Sequence, residues 1–380
     1  MKEKKRALFS FTKMNKYYLI PFITPIISFI CNLLGTLIAN EDTDKKPNFL
    51  FFPISDSIGD TIAGSIYFIQ LYKNKHNSAK EKKIKKNKRK IFCLIIVMTF
   101  IICPMYICFY IDDDIYLLLP FSLSLIIAIL FSIFLLKVNI YSHQILSIII
   151  SLIGFIFLLI SNVKIPFNKF YIYIILSLLN PSYISILKYS STIYFISPFL
   201  CSFLYGMISL IIFIIGTIIC ALYKLKGFSF IEITDSFGGK MFIPYYLLTL
   251  ITNSIVTALT LLEVYYFSPI LYFLSESINP MLFYFLKLEK GQSFYIYIFI
   301  IIGFLFEIIS ILLYNEIIII NACDLNINTV KYIKKREKED IISALYDNDD
   351  EDNGENMNKR KNNNVEISQY IFNLDESSTL

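Results

Sequence analysis

Apolar runs of about twenty residues recur along most of this chain, each parted from the next by a short polar break. A helix of that length rises about 30 Å, the thickness of a bilayer's hydrocarbon core. In lipid no water satisfies the backbone, so a crossing segment must pair its own N–H and C=O groups, as helices and closed barrels do. These runs are continuous rather than alternating, which selects helices. Hydrophobic residues make up 56% of the chain and charged residues 17%, with 35 Phe and 27 Tyr among 380 positions. A soluble domain cannot keep that much apolar surface from water. The sequence predicts an all-α polytopic membrane protein.

Ten spans are expected, at 17–39, 49–72, 91–110, 115–136, 143–161, 168–187, 194–222, 243–262, 266–287 and 293–318. Pro120 and Pro269 lie 149 residues apart, and so do Gly154 and Gly303. Advancing the first five starts by that same 149 gives 166, 198, 240, 264 and 292, each close to a start in the second five. The pattern predicts ten transmembrane helices as two inverted five-helix repeats, 17–161 and 168–318. Five is odd, so the second copy enters the membrane from the opposite face. Many secondary transporters are built this way, with the solute held between the halves near the midplane.

Lys and Arg set the orientation. With the N-terminus cytoplasmic, inner segments carry 26 of the 35 basic residues and outer segments carry 9. Both termini are therefore expected in the cytoplasm, and Asp112 to Asp114 on the far side. The flanks read as a basic N-terminus (1–16), a cytoplasmic amphipathic helix (319–345) and a disordered tail (346–380). The basic loop Lys73 to Lys90 is a topology determinant that could also bind anionic lipid, at roughly 1 kcal/mol per cation near such a surface. Nucleic acid is not an expected partner, since that loop lies between two spans. The seven cysteines are scattered without metal-ligand spacing and read as small buried hydrophobes. No cofactor or metal is expected.

Ionisable residues inside spans are costly and mark pathways. Asp56 and Asp60 in the second span share a helix face by their i, i+4 spacing. In the sixth, Asn180-Pro181 followed by Tyr183 is expected to interrupt the helix, either freeing backbone for a ligand or simply kinking it for packing. The ninth holds Glu276, Asn279 and Pro280, with Glu276 midway along it. Glu307 is equally deep in the tenth. Asn32 and Asn253 are hydrogen-bonding candidates, and Gly35, Gly154, Gly216 and Gly303 are expected to let helices approach closely. Glu263 is expected in a cytoplasmic turn, without a role. The substrate-binding or coupling set is thus Asp56, Asp60, Asn180, Tyr183, Asn253, Glu276, Asn279 and Glu307.

With Pro269, Glu289 in KLEKG and Gly303 in the second half, and Pro120 and Gly154 in the first, the chain resembles the drug/metabolite transporter superfamily. Lys137-Val138 stands where the first half of that pattern would carry an acidic residue. The resemblance covers roughly 17–318. It implies two inverted five-helix halves and transport of a small polar metabolite, nucleotide-sugar-like or related, by counter-exchange. An enzyme is not expected: only His76 and His143 are available for histidine-based chemistry, and Asp112 to Asp114 has no second motif suited to Mg²⁺. The rival is a non-transporting membrane scaffold, or receptor-like protein, that keeps the fold without the site.

Overall fold

The computed structural model describes residues 9–11, 16–41, 51–73, 88–111, 118–161, 170–194, 196–223, 242–279, 282, 294–322, 325–330, 332–333 and 335–336. Among them are ten helices of eight residues or more: α1 (Ile20–Glu41), α2 (Phe51–Lys73), α3 (Lys88–Ile111), α4 (Leu118–Phe134), α5 (Ser142–Ser161), α6 (Phe170–Ile193), α7 (Pro198–Leu222), α8 (Phe242–Tyr266), α9 (Pro269–Glu276) and α10 (Phe294–Tyr314). A 3-10 turn, Lys16–Leu19, leads into α1, and two short strands, β1 (Phe9–Phe11) and β2 (Ile318–Ile320), pair antiparallel. Five of the helical segments among the described residues are long and apolar enough to cross a membrane: Tyr17–Leu34, Tyr171–Ile193, Pro198–Ile219, Tyr246–Tyr266 and Phe294–Tyr314. Shorter apolar stretches lie in α3, α4 and α5. The chain is a mostly helical, multi-pass membrane protein.

The described chain forms two compact units. In the larger, residues 15–138 and 150–311, α2 packs along α7, α1 and α2 along α8, α3 and α4 along α6, and α9 against α4 and α1. The α2–α7 crossing is antiparallel and nearly backbone to backbone. A Cβ on Gly64 would stand 2.4 Å from the Phe203 nitrogen, and one on Gly206 would stand 2.8 Å from the Ser57 carbonyl oxygen. The seam between α5 and α10 is also antiparallel. Gly154 and Gly303 face each other there, and Phe157 stacks on Phe299 and Phe306. Gly216, by contrast, has no atom within 4 Å of a built Cβ, so it does not serve close packing as expected.

Burial is inverted relative to a water-soluble protein. Ile211, Ile214, Ile215, Ile218 and Ile219 form an exposed stripe on α7, while Ser202 and Ser209 on the same helix are buried. Apolar side chains can face lipid at no cost, whereas hydroxyls need partners. Many buried hydroxyls find one on their own helix: Ser57 donates to Pro53 O, Thr61 to Ser57 O, Thr99 to Ile95 O and Ser209 to Tyr205 O.

Two expectations need correction. The helix α6 is not interrupted at Asn180-Pro181 but runs unbroken from Phe170 to Ile193. Proline has no N–H for the carbonyl four residues back. That carbonyl, Ser177 O, instead accepts a long bond of 3.4 Å from Ser124 Oγ on α4. A neighbouring helix takes up the freed group, so no unwinding is needed. The tenth helix ends at Tyr314, four residues early. Glu316 closes it with φ 55, Ile317 N–H donating to Leu312 O and Glu316 N–H to Leu313 O. That left-handed cap turns the chain out into β2. Within 319–345 the structure shows β2, a turn over 325–328 and helical residues at 330, 332–333 and 335–336.

In the smaller unit β1 pairs with β2 in the register Phe9↔Ile320, Ser10↔Ile319 and Phe11↔Ile318. The Glu316 carboxylate accepts the Val330 N–H, and His143 is buried at the start of α5. The basic loop within 74–87, the acidic run 112–114, Glu289, Pro280 and the tail from 346 lie outside the described residues.

Candidate functional site

Glu263 corrects the largest error in the sequence reading. The apolar pattern LLEVYYF carries α8 on to Tyr266, and the break falls at Phe267–Ser268. Ser268 then caps α9 by accepting the Leu271 N–H, with Pro269 at the first helical position, where its missing donor is harmless. This places Glu263 in the last turn of α8, fully buried, rather than in a loop. Its Oε1 accepts Ser275 Oγ of α9 at 2.6 Å. Thr24 of α1 stands beside the Glu263 carboxyl, its hydroxyl donating to Ile20 O at 2.9 Å.

Glu276 ends α9 and is 4% exposed, bonded to Asn279 and to Ser28 of α1. Asn279 Nδ2 donates to Ser28 Oγ at 2.8 Å, which ties α1 to the chain after α9. Between the two glutamates and α6 stands Tyr272, bonded to Thr260 and in electrostatic reach of Glu276, Glu263 and Tyr183. Tyr183 in turn faces Asp60 of α2 and Cys201 of α7, and its ring lies 5.9 Å from that of Tyr205. Thr257 bonds the Asp60 carboxyl, and Ser202 Oγ donates to the Asp60 backbone oxygen at 3.1 Å. One turn earlier on α2, Asp56 accepts from Asn253 Nδ2 of α8.

Polar side chains within electrostatic reach of one another therefore form a line through the larger unit: Asn253, Asp56, Asp60, Tyr183, Tyr272, then Glu276 and Glu263 with Asn279. Six of the eight expected site residues, Asp56, Asp60, Tyr183, Asn253, Glu276 and Asn279, stand on it. Asn180 does not; it is half-buried one turn before Tyr183. Glu307 lies apart, fully buried at the α5–α10 seam, where its Oε2 accepts Ser151 Oγ at 2.8 Å and Ser277 Oγ at 3.1 Å. Asn32 sits on an exposed face of α1.

The sequence reading missed Glu263, Tyr272, Thr257 and Ser28. For Glu263 the missing signal was the Ser268-Pro269 helix start, which fixes where α8 can end. Tyr272 could not be told from 26 other tyrosines by composition. The line holds little positive charge. Lys188 of α6 donates to the Tyr265 carbonyl at 3.0 Å, neutralising the C-terminal end of α8.

No family model and no curated protein matches this chain. Its fold is similar to that of a protein solved by crystallography, with a TM-score of 0.52 and 12% identity over 79% of this chain and 96% of that one. At that identity the likeness speaks of the fold alone.

Proposed function

We propose that this protein is a secondary transporter that carries a small polar metabolite by alternating access between two inverted five-helix halves. The observation that carries the reading is the polar line itself. It draws Ser28, Asp56 and Asp60 from the first half and Tyr183, Asn253, Tyr272, Glu263 and Glu276 from the second, with Ser28, Tyr183, Asn253 and Glu263 inside segments long and apolar enough to cross a membrane. Carboxylates at such depth are costly and persist where they face a pathway.

The helix partners support the inverted repeat. Exchanging each helix for the one five places on turns α1–α8 into α6–α3, α4–α6 into α9–α1, and α8–α2 into α3–α7. All six of these pairs are in contact. The α2–α7 and α5–α10 pairs map onto themselves, and both run antiparallel, as counterparts of opposite insertion must. The β1–β2 pair supports an even number of crossings, because it joins chain before α1 to chain after α10. The surplus of Lys and Arg then assigns both ends to the cytoplasm. The resemblance to drug/metabolite transporters agrees with each of these points.

Because Lys188 is engaged on a helix end, the described residues of the line favour a neutral or cationic solute over a polyanion such as a nucleotide diphosphate. The test is uptake into proteoliposomes by the purified protein, screened over neutral metabolites, amines, nucleotides and nucleotide sugars. Solute-specific uptake is expected, falling at least about tenfold in Asp60→Asn and Glu276→Gln. Uptake untouched by both substitutions would remove the polar line from the pathway. Absence of uptake of every solute by folded protein would leave the scaffold reading.

A further inference from the structure

Glu263 and Glu276 come from different helices, are 0% and 4% exposed, and are brought together by Ser275, the residue before Glu276, which donates to Glu263 Oε1 at 2.6 Å. The groups that face them are hydroxyls and an amide: Thr24 and Ser28 from α1, Ser275 and Asn279 from the α9 segment. Beyond these stand Tyr272 on α9, Tyr183 on α6 and Asp60 on α2. From α10, Glu307 reaches Ser277, the neighbour of Glu276. The helix α4, packed on α9, brings no ionisable side chain over 123–134. The nearest cation on α6, Lys188, is occupied by the Tyr265 carbonyl. Among the described residues around the pair, Glu263 Oε2 and Asn279 Oδ1 are left without a partner, as is Glu307 Oε1 at the α5–α10 seam.

An unpaired buried acceptor needs a hydrogen, and two ionised carboxylates cannot share so dry a site without a counter-charge. No group of three His, Cys, Asp or Glu among the described residues is arranged to supply that charge with a metal ion. A proton meets both needs, since a protonated carboxyl donates one hydrogen bond and removes one charge.

We propose that Glu263 and Glu276 hold one exchangeable proton between them, and that this proton is what the solute is exchanged for. This rests on the transporter reading. In the cycle one O–H bond of the pair breaks and its proton passes to water on the side to which the site is open. The monoanion left behind attracts a cationic or hydrogen-bond-donating solute. Re-protonation from the other side restores the neutral pair and releases the solute. Tyr272 and Asn279 position the two carboxyls, while Glu307 stands apart at the α5–α10 seam, its Oε2 held by Ser151 and Ser277.

Two measurements on the full chain test this separately. The first needs no transport: dicyclohexylcarbodiimide adds to protonated carboxyls out of contact with water, and peptide mass spectrometry locates the adduct. An adduct at Glu263 or Glu276 is expected in wild-type protein, falling at least about tenfold as pH is raised across the carboxyl titration. No adduct at either residue at any pH overturns the proposal. The second is solute accumulation against an imposed pH gradient, expected at up to about tenfold per pH unit for one proton per solute. Glu263→Gln is expected to lose the response to the gradient, and Glu263→Asp, which keeps a carboxyl at that position, to retain it. Exchange that ignores the gradient in the wild type overturns the coupling. A pH-dependent adduct in protein that moves no solute sinks the transporter reading and leaves the proton site standing.

Discussion

A single methyl group separates the glycines that hold this fold together from the one that does not. At Gly64 a Cβ would meet backbone atoms of α7, at 2.4 Å from the Phe203 nitrogen and 2.7 Å from the Phe199 oxygen. Backbone cannot rotate aside, so α2 and α7 must part. Gly64→Ala is expected to destabilise by about 1–3 kcal/mol, the usual cost of overpacking. At Gly216 the same methyl meets open space, and alanine is the better helix former by about 1 kcal/mol, so Gly216→Ala is expected to be neutral or stabilising. Thermal unfolding in detergent compares the two directly; equal losses would mean that the α2–α7 crossing is not the tight one. No sequence rule distinguishes these glycines, because both stand in apolar helices. What separates them is which neighbour the fold supplies. The same limit explains why Asp60 and Glu276 were legible while Tyr272 was not: a carboxylate is conspicuous in an apolar run, whereas an aromatic ring is unremarkable there.

Helices were legible at their middles and misread at their ends. Continuous apolar runs locate α1 to α10, but their termini depend on caps and on tertiary bonds. The Glu263 error and the early end of α10 are both boundary errors, one resolved by Ser268-Pro269 and the other by a left-handed Glu316. The supposed break in α6 failed for a different reason. Proline does free a carbonyl, yet whether the helix unwinds depends on what else can bond that carbonyl, and here Ser124 of α4 does. This is testable as a double-mutant cycle. Ser124→Ala should cost about 0.6 kcal/mol in the native background, typical of an interhelical hydrogen bond in a membrane. In Pro181→Ala the restored N–H can satisfy Ser177 O within the helix, so the same serine deletion should cost close to nothing. Unfolding titrations of the four proteins give the coupling, and an unchanged cost in both backgrounds would show that Ser124 serves some other contact.

At the scale of the whole chain, the charge bias and the 149-residue offset carry the expectation of orientation and duplication, while the joining of the two ends was invisible in the sequence. A three-residue strand such as Phe9–Phe11 is too short to declare itself by alternation, and its partner lies more than three hundred residues away. Yet this pairing makes the sharpest demand on topology. Ser10 and Ile319 face one another across the ladder, where Cβ atoms stand about 4.5–5.5 Å apart, within reach of a disulfide after modest adjustment. In a background freed of the seven native cysteines, Ser10→Cys with Ile319→Cys should cross-link rapidly under mild oxidation. Ser10→Cys with Asn321→Cys, two residues out of register and about 7–8 Å apart by the same geometry, should cross-link far more slowly. The linked pair then fixes both ends to one face of the membrane. Single cysteines at Ser10, at Ser78 in the basic loop and at Asp113 in the acidic run extend the test to sealed right-side-out vesicles treated with a membrane-impermeant maleimide. An even number of crossings with the basic residues inside requires that Ser10→Cys and Ser78→Cys be protected until the vesicles are opened, and that Asp113→Cys react at once. Labelling of Ser10→Cys and Asp113→Cys from the same face would leave the α1 to α3 segment with an even number of crossings. That outcome breaks the five-helix repeat at its first half and removes the inversion on which alternating access depends.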